Sequence, residues 1–261
     1  MTIRGTWDDW APWLAERGGE LKTSVVFLTR LPLPRALPIG GLDIAPAVWA
    51  FPLAGFAVGA IGAVVYAVAD RLAIPAWPAA ALAIAATLVV TGCLHEDGLA
   101  DTADGFGGGK SADRKLDIMR DSRIGTYGAC ALALSILLRT SALASLADTG
   151  LVVAALIAAH AAARATLPVV MFFVPPARSD GLSFAAGRPQ AAGAAVGAAL
   201  AFLILIVCLG PWLAIEAAIA LAIVAALMAR LSLSQIGGQT GDVLGAIEQV
   251  AEIVILLVAL R

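Results

Sequence analysis

The chain has 261 residues, 61% of them hydrophobic and only 14% charged, with a formal net charge of −2 and a mean hydropathy of +0.92. A soluble domain is about one quarter charged and less than half apolar. Composition therefore excludes a soluble enzyme and predicts an all-α, polytopic transmembrane bundle with no nucleic-acid partner.

The first residues lack the basic-then-apolar pattern of a cleaved signal peptide. Trp7, Trp10, Leu14, Leu21, Val25 and Leu28 share a helical stripe. It predicts an amphipathic helix in the membrane interface with Trp as anchor, broken at Gly18-Gly19. Residues 1–26 are expected to be an interfacial extension, and 27–261 a single transmembrane catalytic domain. Seven spans follow, at roughly 44–69, 74–94, 127–147, 151–174, 191–210, 212–229 and 243–260. The split at Gly210-Pro211-Trp212 is the weakest of these boundaries. Cys93, Cys130 and Cys208 are scattered without CxxC spacing. They read as small buried hydrophobes, not as a zinc site or a disulfide frame.

Thirteen of the seventeen basic residues fall in one set of connections. They are Arg4, Arg17, Lys22, Arg30 and Arg35, then Lys110, Arg114, Lys115, Arg120 and Arg123, then Arg178, Arg188 and Arg230. Arg71 and Arg261 fall on the other side, and Arg139 and Arg164 within spans. Cytoplasmic loops carry the Lys and Arg excess. The N-terminus is therefore expected in the cytoplasm and the C-terminus outside.

All acid-rich and Gly-rich segments lie on the cytoplasmic side. Directly after twenty-one uncharged residues, Ile74 to Leu94, comes His95-Glu96-Asp97-Gly98-Leu99-Ala100-Asp101-Thr102-Ala103-Asp104-Gly105-Phe106-Gly107-Gly108-Gly109. On a helix, Asp97, Asp101 and Asp104 fall within about 60° of one face, in a row about 10 Å long. Like charges in a row repel, and a divalent metal is the simplest partner. A second segment, 113–128, repeats Asp113, Asp117 and Asp121 around Arg120 and Arg123. Taken alone, it also fits a solvated helix laced with ion pairs. A third, Gly237-Gly238-Gln239-Thr240-Gly241-Asp242, is a Gly-rich turn feeding the last span. A fourth holds Arg178 and Asp180. Metal, arginine and a carboxylate base are the parts of phosphoryl transfer. His160 and Arg164 stand at i, i+4 in one span, as do Glu248 and Glu252 in another. The acids either extend the acidic site or pair with Arg139 or Arg164.

The stretch from His95 to Gly105 closely resembles the signature of the cobalamin synthase family, the adenosylcobinamide-GDP ribazoletransferases. So does Asp117-Ile-Met-Arg-Asp-Ser-Arg-Ile-Gly-Thr-Tyr-Gly128. Phe27-Leu-Thr-Arg-Leu-Pro-Leu-Pro34, Phe51-Pro-Leu-Ala-Gly55 and Gly238-Gln-Thr-Gly-Asp-Val-Leu-Gly-Ala246 fit it too. Glu96 departs from the family, which has an apolar residue there, usually Leu.

The resemblance implies a multi-pass enzyme of the bacterial inner membrane in late vitamin B12 assembly, with its site facing the cytoplasm. It implies Mg²⁺ and the joining of adenosylcobinamide-GDP to α-ribazole or its 5′-phosphate, with release of GMP. A homo-oligomer is left open. With the residue reading, it assigns Asp97, Asp101, Asp104 and Asp242 to metal. Asp104, Asp121 and His95 are assigned to catalysis. Arg120, Arg123, Arg164, Arg178, Gly105, Gly107, Gly108, Gly238 and Thr240 are assigned to substrate. Two rivals remain: a CDP-alcohol-type phospholipid phosphotransferase, and a cation-coupled transporter, which would instead place polar groups near the midplane of repeated halves.

Overall fold

The computed structural model describes residues 7–33, 43–146 and 148–261. Arg4, Pro34 and Arg35 lie outside the described residues, and of Trp7 only the backbone is described. The described chain is helical throughout, and its one β-type pairing is an isolated bridge between Pro176 and Gln239.

Helix α1, Trp7–Leu28, runs unbroken through Gly18-Gly19 and across residue 26. Each interior glycine costs about 1 kcal/mol. The helix survives because its second half is anchored. Ser24 Oγ donates to the Ala47 carbonyl at 2.6 Å, Glu20 accepts from the Trp49 indole, and Val26 and Leu28 are buried. Trp10, Trp13 and Leu14 stay exposed, so the stripe packs only at its far end.

A 3₁₀ turn, Ala45–Ala50, leads into α2, Phe51–Arg71, with Pro52 at the tolerated helix start. Gly55 and Gly59 let α2 press against the backbone of α7, Thr149–Phe173, at His160 and Leu156. Alanine-rich α7 is the central helix and is mostly buried.

Helix α3, Ala76–Thr91, ends where Gly92 and Cys93 take left-handed φ of 63° and 56°, and the chain turns 90° into α4, Leu94–Gly108. Glycine suits the first of these positions. A short α5, Ala112–Ile118, precedes α6, Thr126–Leu146. After α7 come α8, Gly181–Ala186, and α9, Ala191–Ile236. The 46 residues of α9 contain both the fifth and the sixth expected span. Gly210 (φ 80°, ψ 165°) breaks the helix, and its two arms line one groove with α7. The last helix is α10, Gly241–Val258.

Four helices are long and apolar enough to cross a membrane, or up to five if the bent α3–α4 pair is one span. That is fewer than the seven expected, chiefly because two expected spans fall in the two arms of α9 and α10 carries Asp242, Glu248 and Glu252. Val64, Val68, Val89, Leu203, Val207, Trp212 and Leu227 point outward, as a lipid-facing surface requires. The cysteines are free, as expected, but Cys93 and Cys130 are exposed instead of buried. At one end of the bundle Asp70 accepts from Thr149 and Glu216 pairs with Arg261. The acid-rich segments gather at the other.

Candidate active site

Two close approaches build this end. A side chain at Gly98 would strike the backbone of Asp242, and one at Gly245 would crowd the backbone of His95. These glycines let α4 and α10 touch, which brings Asp242 beside Asp97 and Asp101. Thr240 caps α10, accepting from Val243 N–H at 3.2 Å and donating to Asp242 at 3.2 Å. Burial first, then Asp97, Asp242 and Asp104, push the Asp101 carboxyl up to about 7. Arg178 Nη2 lies 3.3 Å from Asp242. Arg120 donates to both oxygens of Asp180 at 2.6 Å. These pairs tie the 175–181 loop to α10 and to the end of α5.

Asp97 stands between two cavities. One, of about 300 Å³, is lined by Phe27, Leu28, Phe51, Leu167, Met171 and Leu244, with His95, Asp97, Arg178, Ser183 and Asp242 as its polar wall. The other, of about 500 Å³, holds Asp97, Asp101, Arg120, Asp121, Ser122 and Cys93. The first lies between α1, α2, α4, α7, α8 and α10, and the second between α4 and α6.

Several expected substrate and metal residues have other partners. Asp104 is buried, and its oxygens accept from Gly125 N–H (2.7 Å) and Gly128 N–H (2.9 Å) at the start of α6. A side chain at either glycine would collide with that carboxylate. Gly105, Gly107 and Gly108 lie in α4, where N–H groups serve the helix ladder and are not aimed at a diphosphate. Gly105 makes room for Met119, and Gly107 for the Tyr127 ring. Gly238 fits against Pro175 while its carbonyl accepts from Ser232 at 2.8 Å. Asp121 grips its neighbour Arg123, whose hydrogen bonds hold the carboxyl down at about 2.

Arg164 lies in the interior, lining neither cavity. It donates to Glu252 (3.0 Å) and the His160 carbonyl (3.0 Å), and lies 2.6 Å from Glu248. Arg139 donates to Glu96 (3.1 Å) and Glu252 (3.0 Å), and Gln249 bridges Glu96 to Glu248. His160 pairs with Glu252, and Ser135 closes onto Gln249 at 3.0 Å. Among the described residues, only His160, Glu248 and Glu252 bring three donor atoms within 4.8 Å of one another. The arginines already neutralise that cluster. The carboxylates of Asp97, Asp101 and Asp242 surround the groove without closing on one point.

Residues 20–260 match the family described as cobalamin-5-phosphate synthase. The chain belongs to that family. It is 56% identical over 235 residues, 90% of each chain, to an adenosylcobinamide-GDP ribazoletransferase of Mesorhizobium japonicum. It is 54% identical over 240 residues, 92% of each chain, to one of Bradyrhizobium diazoefficiens. An Azorhizobium caulinodans relative of the same name is 46% identical over 94% of each chain. No solved structure matches. The family match spans both cavities and the buried network. Sequence reasoning missed the Arg120–Asp180 pair, the Glu96–Arg139 link and the apolar wall of Phe27 and Phe51. The Glu96–Arg139 link had a signal in Arg139, an intramembrane charge that must find a partner somewhere.

Proposed function

We propose that the protein transfers the phosphorylated cobinamide of adenosylcobinamide-GDP to α-ribazole or its 5′-phosphate. The reaction takes place at the cytoplasmic face of the bacterial inner membrane and requires Mg²⁺. The observation that carries this reading is the acid groove at Asp97, Asp101 and Asp242, set between two cavities. The named reaction has two large substrates that must meet at one phosphorus.

A hydroxyl oxygen of the ribose attacks the phosphorus attached to the cobinamide arm. The new P–O bond forms as the anhydride bond to GMP breaks. In-line displacement puts nucleophile and leaving group on opposite sides, which suits a cavity on each side of Asp97. Asp97, Asp101 and Asp242 would hold the metal, whose chemistry is to neutralise charge on the transferring phosphate and polarise the hydroxyl. The crowded carboxylates fit a cation: Asp101 is raised by burial first and then by its acidic neighbours. Arg178 and Arg120 would exchange Asp242 and Asp180 for phosphate oxygens.

His95 serves better than Asp121 as the base that takes the hydroxyl proton. It lines the apolar cavity with Glu248 3.6 Å from its Nδ1, whereas both oxygens of Asp121 are taken up by Arg123. Asp104 positions the start of α6 beneath the groove. In this reading α2, α3, α6, α7, both arms of α9 and α10 cross the bilayer.

The deciding experiment is GMP release by the purified protein from adenosylcobinamide-GDP and α-ribazole, with and without Mg²⁺. Metal-dependent release is expected. Absence of release from folded protein would overturn the reading.

A further inference from the structure

The cavity beside His95 is bounded by α1, α2, α4, α7, α8 and α10, and its lining divides by chemistry. Phe27, Phe51, Leu167, Met171 and Leu244 make an apolar floor. The Phe27 and Phe51 rings stack with centroids 6.0 Å apart and planes inclined by 23°. The polar groups, His95, Asp97, Arg178 and Asp242, stand together where the cavity meets the acid groove. A ligand entering here must therefore be apolar and flat at one end and polar at the other.

Resting on the proposed reaction, we infer that this cavity is the α-ribazole subsite. Its apolar floor holds the aromatic azole base, and its polar mouth presents the ribose hydroxyl to His95 and the acid groove. The alternatives fit poorly. A corrin is too large for about 300 Å³. Guanine would bury amide and amino groups against a lining that offers Ser183 alone as a partner away from the polar mouth, at a cost of about 1–3 kcal/mol for each group left unpaired. A benzimidazole-type base has no exocyclic hydrogen-bonding group to lose. The diphosphate end of the corrinoid substrate falls to the wider cavity at Asp101, Arg120 and Cys93, with the corrin ring outside it. The floor, and not the acid groove, then sets which lower-axial bases the enzyme accepts.

Two native-like reporters test the assignment. Cys93 lines the wider cavity, and Leu182→Cys places a thiol at the rim of the apolar one. Methanethiosulfonate labelling of each position, read by peptide mass spectrometry, is measured with either substrate alone. α-Ribazole should slow labelling at position 182 at least about fivefold and leave Cys93 unchanged, and adenosylcobinamide-GDP should do the reverse. Ala186, buried in the same lining, gives the second test: Ala186→Phe should raise the KM for α-ribazole about tenfold while the KM for adenosylcobinamide-GDP moves less than about twofold. A riboside of plain imidazole should suffer less from it.

Protection of position 182 by adenosylcobinamide-GDP, or by neither substrate, overturns the subsite. The labelling needs no turnover, so it stands even where the Phe variant fails to fold. A wild type that releases no GMP refutes the proposed reaction instead, and an active wild type with the wrong protection pattern refutes only the subsite.

Discussion

Asp101 stands half-buried among Asp97, Asp242 and Asp104, whereas Asp104, nearly one turn on, has both oxygens occupied by N–H groups at the start of α6. The two should therefore answer substitution differently. Asp101→Asn is expected to lower GMP release by at least about 100-fold while the melting temperature holds or rises, because one member of a repelling group is gone. Asp104→Ala is expected to cost about 3 kcal/mol of stability through its two charge-assisted hydrogen bonds, visible as a lower melting temperature whether or not Mg²⁺ is present. Equal loss of stability in the two variants would show that Asp101 is structural. The row itself is legible in the sequence, since helical spacing puts the three acids on one face. Which of them is already satisfied is not, because the N–H groups that satisfy Asp104 lie more than twenty positions away.

At the scale of elements, the acid groove exists because α4 turns through 90° after Gly92-Cys93 and then touches α10 at Gly98 and Gly245. Gly98→Ala should push the Asp242 backbone away from α4. Overpacking of this kind costs about 1–3 kcal/mol. Displacing the groove by a fraction of an ångström should cut activity about tenfold or more, measured as GMP release at saturating Mg²⁺. Full activity in Gly98→Ala would mean that the contact is not what aligns the site. The motif assigns the glycines after Asp104 to substrate, and glycine is the residue of close approach. The approach is real, but what comes close is α5 and the Tyr127 ring. Glycine spacing shows that something must be near and not what it is.

Across the whole molecule, a buried network joins α4, α6, α7 and α10 through Glu96, Glu248 and Glu252 against Arg139 and Arg164. It lies behind the acid groove and fixes the helices that carry it. Arg139→Leu leaves Glu96 and Glu252 short of a partner and should destabilise by about 3–5 kcal/mol. Glu96→Leu leaves Arg139 still bonded to Glu252 and removes the acid in excess of the two arginines, so its cost should stay below about 1 kcal/mol. Thermal unfolding in one detergent compares the two, and a larger loss for Glu96→Leu would contradict this account. The placement of Arg71 and Arg261 away from the acid face makes a further prediction. A thiol introduced by Arg71→Cys should react with an impermeant maleimide from outside right-side-out vesicles, and Cys93 should react only when the vesicles are inverted.

Composition and charge asymmetry by themselves determined the membrane class, the helical architecture and the gathering of acids at one face. These depend on local quantities: the apolar length that spans a bilayer, and the positions of basic residues between such lengths. The motifs likewise determined the family. The tertiary structure decided which polar groups are free and which are spent. It set Glu96, Glu248, Glu252, Arg139 and Arg164 against one another in the interior, gave Asp104 to α6, and opened two cavities on either side of Asp97. A charged side chain's role depends on what faces it across the bundle, and a single chain's periodicity holds no information about distance between helices.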